Sequence, residues 1–277
     1  MDTEFTFDQS ALRQRYNPDG SVLRRDQLEL LNMLRSLAKI CDDNGIRWWL
    51  SSGTLLGAAR HRGFIPWDDD VDIVMMRKDY LRLQKILRKM QSSEYVFHSM
   101  HTDPDYVNVF GKFRKREGRV RLVGKRYKHL KYQGQFIDIF LIERTPYWVA
   151  RAAYVIYMNA QYITVYIKCN WLRRTLIRLI EGLCLGIINP VLRLLGLINP
   201  KREYHYTLGM GWARSTFFKR DIFPLKTIEF EGEMFPAPKD VDAYLRNVYG
   251  DWRKLPDEES IRRSIHSTEY IDEIYGK

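Results

Sequence analysis

Trp67-Asp68-Asp69-Asp70-Val71-Asp72-Ile73-Val74-Met75 sets four carboxylates within five positions and runs them straight into an apolar tract. Carboxylates packed this closely repel one another, at a cost that grows as the local dielectric falls. Hard divalent cations offset that cost, because they take carboxylate oxygens as ligands. The tract reads as a strand from about Asp70 onward. Alternate side chains of a strand share a face, so Asp70 and Asp72 point together while Val71 and Ile73 point into the core. Asp68 joins the pair if extension begins there, and Asp69 faces away. The competing reading is a solvated acidic turn, which the apolar run after the cluster argues against. An EF-hand loop fails: Asp68, Asp70 and Asp72 fit its first, third and fifth positions, but Ile73 and Asp79 stand where it needs Gly and Glu. A DxD element holding a metal and a sugar nucleotide stays open.

Two further segments complete a pattern. Upstream, Arg47 to Ser52 reads as a short strand entering Gly53-Thr54-Leu55-Leu56-Gly57. Glycine lets a backbone approach closely, and amide and hydroxyl donors suit a phosphate; a plain turn is the alternative. Downstream, Phe136-Ile137-Asp138-Ile139-Phe140 places an acid in the middle of an apolar strand. That is costly unless the acid is metal-bound or paired in a buried salt bridge. A glycine turn, a strand with alternate aspartates and a third acid on another strand is the pattern of the nucleotidyltransferase superfamily.

Of 277 residues, 45% are hydrophobic and 29% charged, a globular composition with ample material for a core. Cys41, Cys169 and Cys184 are an odd, scattered set, which argues against a disulfide framework or a zinc site and fits a reducing, cytoplasmic compartment. Met1-Asp2-Thr3-Glu4-Phe5 shows no secretory signal. No stretch reaches the roughly 18 uncharged apolar residues of a spanning helix; the nearest, Ala152 to Ile167, carries Asn159 and Gln161. The net charge of +11 favours polyanions or an anionic membrane surface without choosing among them.

Along the chain, residues 1–25 form a polar lead-in with a turn at Asn17-Pro18-Asp19-Gly20. Residues 26–146 form the catalytic core, 147–200 a helical subdomain, and 201–277 a C-terminal segment packing on the core. Leu30, Leu34, Leu37 and Cys41 recur at helical spacing from Asp26, with Asn44-Gly45 as the stop. Gly53 to Gly63 is small-residue rich, with room for a helical turn. Asp79 to Met90 reads as a helix; Tyr95–His98, Tyr106–Arg114 and Phe136–Ile142 read as strands; Val241–Tyr249 reads as a late helix. The fold class is α+β: a nucleotidyltransferase-type mixed β-sheet flanked by helices, with an added helical subdomain. Residues 147–200 carry Arg151, Lys168, Arg173, Arg174, Arg178 and Arg193 against Glu181 and read as two or three amphipathic helices. Three roles stay open for them: a lid over an acceptor site, a surface lying on a membrane with Trp148 and Trp171 as interfacial residues, or ordinary packing.

Leu50-Ser51-Ser52-Gly53-Thr54-Leu55-Leu56-Gly57-Ala58-Ala59-Arg60-His61-Arg62-Gly63-Phe64-Ile65-Pro66-Trp67-Asp68-Asp69-Asp70-Val71-Asp72-Ile73 closely resembles the signature of the LicD family, to whose superfamily fukutin and fukutin-related protein belong. Phe136–Ile142 resembles that family's later aspartate strand. Val248-Tyr249-Gly250-Asp251-Trp252 resembles its C-terminal Tyr-Gly-Asp element, and His266 lies where such sequences often carry a histidine.

The resemblance implies a phosphotransferase that moves phosphocholine, or a related phosphoalcohol such as ribitol or glycerol phosphate, from a CDP-alcohol. The acceptor is a sugar of a cell-surface glycan (lipopolysaccharide, teichoic acid or capsule), free or lipid-linked, and CMP is released. Asp70 and Asp72 then hold Mg²⁺ (Mn²⁺ as the alternative) on the donor diphosphate. Asp68 completes the shell. Asp138 binds metal on the acceptor side or acts as general base. Gly53 and Thr54 contact a phosphate. Ten Lys or Arg between Lys112 and Lys131 face one acid, Glu117; Lys112 and Arg114 are the expected phosphate contacts, because strand spacing aims them alike. The expected location is cytoplasmic, with a peripheral seat on the inner face of the membrane if 147–200 touches lipid. Nucleic acid is not an expected partner. A nucleotidyltransferase with another nucleotide donor, a DxD-type glycosyltransferase and a non-catalytic binding protein are the competing readings.

Overall fold

The computed structural model describes residues 7–90, 94–120, 128–197, 201–211 and 215–276. Helix α1 (Gln9–Tyr16) is capped by the Asp8 carboxylate, which accepts from the amides of Ser10 and Ala11. Helix α2 (Val22–Asp43) begins at Val22 rather than Asp26, because the Ser21 hydroxyl caps it by accepting from Arg24 N–H at 3.1 Å. Its stripe Leu30, Leu34, Leu37 and Cys41 is buried.

Strand β1 (Trp49–Leu50) leads into helix α3 (Ser52–His61), so the helical turn allowed for in the small-residue stretch extends to a ten-residue helix. Strand β2 (Val71–Met76) passes directly into helix α4 (Arg77–Lys89), and strands β3 (Tyr95–His98), β4 (Gly111–Lys115) and β5 (Phe136–Arg144) follow. The strand expected from Tyr106 starts only at Gly111. Before it, the Tyr106 hydroxyl donates to the Phe110 carbonyl at 2.9 Å, which closes residues 106–110 on themselves. The helical section comprises α5 (Tyr147–Thr164), α6 (Asn170–Leu183), a π-turn (Cys184–Ile188) and α7 (Asn189–Leu197). The chain ends with β6 (Glu203–Tyr206), β7 (Phe217–Phe218), α8 (Lys219–Ile222), β8 (Lys226–Phe230), β9 (Glu233–Ala237), α9 (Val241–Tyr249), α10 (Glu258–Ser264) and α11 (Thr268–Tyr275).

The main sheet runs β1-β2-β5-β4-β3, with β6 pairing the far half of β5 and β7 pairing β6. Among the described residues only β2 and β5 are parallel; the other pairings in this mixed sheet are antiparallel. Val71, Ile73, Ile137 and Ile139 are fully buried and share one core with the α2 stripe. This is the α+β, mixed-sheet architecture expected from sequence. The β8–β9 hairpin adds to that expectation. Its turn, Glu231-Gly232, has positive φ at both residues (53° and 79°), the two-residue geometry that matches strand twist.

Helices α5 to α7 carry a small apolar cluster of their own: Val149, Ala150, Ala153 and Leu208, with Tyr154, Leu192 and Leu195 against it. Glu143 at the end of β5 fastens them to the sheet. Its carboxylate accepts from Arg193 (2.6 and 3.2 Å), the Thr207 hydroxyl (2.7 Å) and Leu208 N–H (3.1 Å). The most apolar helix is not the run from Ala152. It is the continuous helix Asn170–Gly196, 27 residues long and by length and composition alone enough to cross a membrane.

Candidate active site

The site is organised by strand register. In the parallel pair, Asp72 of β2 lies opposite Asp138 of β5; in the adjoining antiparallel pairs, Asp138 lies opposite Lys112 of β4, and Lys112 opposite His98 of β3. Residues directly opposite share a face, so Asp72, Asp138, Lys112 and His98 form one row across four strands. All four are buried. The Lys112 ammonium is ion-paired with the Asp138 carboxylate and lies 3.6 Å from the centre of the Phe136 ring. Asp70 lies just before β2 rather than in it; its carboxylate is 3.5 Å from His266 Nδ1, and its charge acts on Asp72.

The first turn of α3 supports this row from the side. Ser52 adopts φ 46°, a left-handed conformation unusual for a residue with a Cβ, at the corner between β1 and the helix. Asp72 N–H donates to the Thr54 hydroxyl at 2.8 Å, and Ser51 N–H donates to the Asp72 carbonyl at 3.1 Å. A Cβ on Gly53 would lie 2.5 Å from Asp68 Oδ2, so the glycine is what lets Asp68 close against the helix. Among the described residues no side chain caps the α3 N-terminus, which leaves amide donors and the positive end of the helix dipole beside the carboxylates. Asp68 itself is placed by α2: the Gln27 amide donates to the carbonyls of Asp68 (2.8 Å) and Ile65 (3.4 Å).

Charge is concentrated as the sequence implies. Burial, then Asp70, Asp138 and Asp68, pushes the Asp72 carboxyl well above the usual carboxylate range. Burial, then Asp70 and Asp69, does the same to Asp68. Asp70 is pushed up to about 6 by burial, against the attraction of His266. Burial lowers Lys112, against the pull of Asp138. A hard divalent cation fits this donor set. The donor atoms on offer are carboxylate oxygens, and one of them, Asp72 Oδ1, is buried without a hydrogen-bond partner among the described residues.

The other expected residues fall as follows. Asp69 points away from the row and takes three hydrogen bonds from the chain's end: His266 N–H at 2.9 Å, His266 Nδ1 at 2.8 Å and Ser267 N–H at 2.9 Å. The side-chain bond to Asp69, with the nearby Asp70 charge, raises His266 to about 9, so it is an imidazolium at neutral pH. Asp69, Asp70 and His266 each bring a ligand atom within 4.8 Å of the others. Arg114 shares the face of Lys112, but its guanidinium donates to the Tyr132 and Gly134 carbonyls at 3.1 Å each and packs over Phe136. Residues 121–127 of the basic loop lie outside the described residues.

The C-terminal segment also reaches the site. The Tyr244 hydroxyl is 3.0 Å from that of Ser51, and Arg60 donates to the Trp252 carbonyl at 3.0 Å. The Tyr249 side chain is 43% exposed; desolvation of its phenol, then the charges of Asp72 and Asp68, raises it. No pattern within Val248–Trp252 shows that it packs on α3 through Arg60; only the family likeness singles it out.

A parallel strand pair bearing facing aspartates, braced by a glycine-entered helix, places the chain among proteins of nucleotidyltransferase type. Residues 45–164 match the family described as LicD/FKTN/FKRP, nucleotidyltransferase domain. It is 28% identical over 256 residues to the lipopolysaccharide cholinephosphotransferase LicD of Haemophilus influenzae, covering 86% of this chain and 94% of that one. It is 45% identical over 53 residues to the human ribitol 5-phosphate transferase FKRP, covering 18% and 11% of the two chains. It is 44% identical over 62 residues to the mouse ribitol-5-phosphate transferase FKTN, covering 22% and 13%.

Proposed function

We propose that the protein transfers a phosphoalcohol, phosphocholine being the first candidate, from a CDP-alcohol to a sugar hydroxyl of a cell-surface glycan. The observation that carries this reading is the facing pair Asp72 and Asp138, with Asp72 Oδ1 buried and without a hydrogen-bond partner among the described residues. The relatives support the class of group moved: one is a cholinephosphotransferase and two are ribitol phosphate transferases.

In the reaction, the sugar oxygen forms a bond to the phosphorus bearing the alcohol. The bond from that phosphorus to the bridging oxygen breaks, and CMP leaves. A divalent cation held by Asp70, Asp72 and Asp138, with Asp68 at its edge, would neutralise charge on the diphosphate. Asp138 accepts the hydroxyl proton. Lys112, two strands across the sheet from Asp72, offers its ammonium to a donor phosphate oxygen when it leaves Asp138. The amides of the α3 first turn, at Gly53 and Thr54, hold a second phosphate.

The test is incubation with Mg²⁺ and CDP-choline, CDP-ribitol or CDP-glycerol, following CMP release with and without an acceptor glycan. Acceptor-dependent CMP release that is lost in Asp70→Asn/Asp72→Asn supports the reading. Pyrophosphate release from a nucleoside triphosphate, with no CMP from any CDP-alcohol, would replace it with nucleotidyl transfer.

A further inference from the structure

Fourteen of the eighteen large apolar side chains exposed among the described residues fall between Tyr147 and Leu194. Scattered surface hydrophobics need no explanation, but a concentration on one subdomain does. The exposed residues follow helical spacing. On α5 and just beyond it they include Trp148, Ile156, Ile163 and Tyr166; on the following helix Trp171 (73% exposed), Leu179, Leu183, Ile187, Val191 and Leu194 (63%).

The second stripe steps by four residues from Leu179 to Val191. In an α-helix with 3.6 residues per turn, each such step over-rotates by about 40°, so three would carry the stripe well off its face. The π-turn Cys184–Ile188 lies in the middle of it. Its i→i+5 bonds wind more residues into each turn and take that rotation back. The irregularity thus keeps one apolar face continuous.

The opposite side of the same helix is fastened to the body of the protein. Buried Arg173 is paired with Asp105 at 2.9 Å, Asn189 donates to the Leu208 carbonyl at 3.2 Å, and Arg193 meets Glu143 at 2.6 Å. A helix held along its length in this way lies on a surface and does not span. The exposed cations Arg151, Lys168 and Arg178 lie on this subdomain, and its one acid, Glu181, is held up at about 7 by burial.

We propose that the outward face of α5 to α7 lies in the plane of an anionic lipid bilayer. Trp148, Trp171 and Tyr166 sit at the headgroup level, where amphipathic rings are favoured. The leucine and isoleucine stripe enters the acyl boundary, and the cations meet anionic headgroups. A lipid surface fits better than a protein partner because the face is apolar along two adjoining helices and edged by the exposed cations Arg151, Lys168 and Arg178.

The test uses the full chain, without donor or acceptor, so it is read separately from the transfer chemistry. Co-sedimentation is measured with vesicles of phosphatidylcholine alone and with phosphatidylglycerol added. The wild type should pellet with the mixed vesicles, release as salt rises, and show a blue-shifted tryptophan emission. Leu183→Glu/Ile187→Glu should weaken partitioning by about ten-fold or more. Trp171→Glu should weaken it as well, and thermal melts should stay as in the wild type, since these side chains are exposed. Wild type that stays in the supernatant, or variants that bind as well as it does, overturns the proposal. So does light scattering that shows a dimer broken by the same substitutions in protein that ignores vesicles, which would assign the face to a second copy.

Discussion

Asp72 and Asp138 stand opposite one another on the parallel strands β2 and β5, yet they differ in company: Asp138 is paired with the Lys112 ammonium, whereas Asp72 Oδ1 is buried without a hydrogen-bond partner among the described residues. The two aspartates should therefore separate in stability while agreeing in activity. Asp72→Asn removes a charge that burial and Asp70 oppose, so in chelator it should stabilise the fold and raise the melting temperature. Asp138→Asn leaves a buried ammonium without its main partner and should cost about 3 kcal/mol. Both should lower CMP release by about a thousand-fold. Thermal melts in chelator beside a turnover assay check all of this, and an Asp72→Asn that melts lower than wild type would contradict it.

Gly53→Ala isolates positioning from folding. The new methyl meets Asp68 Oδ2, the movable end of a side chain, and alanine is the better helix former. The melting temperature should therefore stay within about 2 °C of wild type. Asp68 must move by a few tenths of an ångström to an ångström, and misplacement on that scale costs about a hundred-fold in rate. A steady-state assay should place the loss in kcat rather than in the KM for the donor.

Much of this site is legible in the sequence itself. Strand alternation predicts that Asp70 and Asp72 share a face, but the strand begins only at Val71, and Asp70 and Asp69 both lie beside His266 ahead of it. The acid in Phe136–Phe140 is legible because an unpaired carboxylate in such a strand is too costly to be incidental. What alternation does not give is register. That Asp72 faces Asp138, and that Lys112 reaches Asp138 first, depends on pairings between segments far apart in the chain. Helix α3 reads as only a helical turn because Gly53 and Gly57 lower helix propensity; tertiary demand explains both glycines, since a Cβ at Gly57 would strike the Gly63 carbonyl. The β8–β9 hairpin escapes a reading by hydrophobic pattern, although Glu231-Gly232 is a turn signal. Its role is also non-local: the Glu231 carboxylate accepts from Phe64 N–H at 3.0 Å and pairs with Arg24, steadying the loop that leads to the aspartates.

Asp69 should behave as a structural residue despite its place in the cluster. Its carboxylate takes three hydrogen bonds at the start of α11, and α11 in turn caps α2, because Glu273 accepts from Val22 N–H at 2.7 Å. Asp69→Ala should cost about 3 kcal/mol, since donors matched to a charged acceptor lose it together. Limited proteolysis should then cut near residues 265–276 first. Activity should fall by about ten-fold, the indirect effect of a shifted wall, far less than for Asp72→Asn. A loss equal to that of Asp72→Asn in a variant that resists proteolysis would move Asp69 into the chemistry.

Glu143 supplies the pH dependence of the junction between sheet and helices. Its carboxyl is held below its ordinary 4.5: burial opposes, but Arg193, the Thr207 hydroxyl and Leu208 N–H outweigh it. A depressed folded pKa means the unfolded chain takes up protons first as pH falls. Its stabilisation is therefore complete above about pH 4.5 and is lost as pH drops through the lower folded value. Glu143→Gln keeps the shape and two acceptor contacts but not the charge facing Arg193 and Arg77. At pH 7 it should cost about 3 kcal/mol, as for a buried pair deprived of one partner. As pH falls below about 4.5 and then through the lower folded value, the wild-type carboxyl becomes protonated and comes to resemble the amide, so the gap between the two proteins should narrow and then close. Denaturant unfolding at about pH 7, 5 and 3.5 measures that gap directly. A gap that stays constant with pH would mean that packing, not the charge of Glu143, holds α7 against β5.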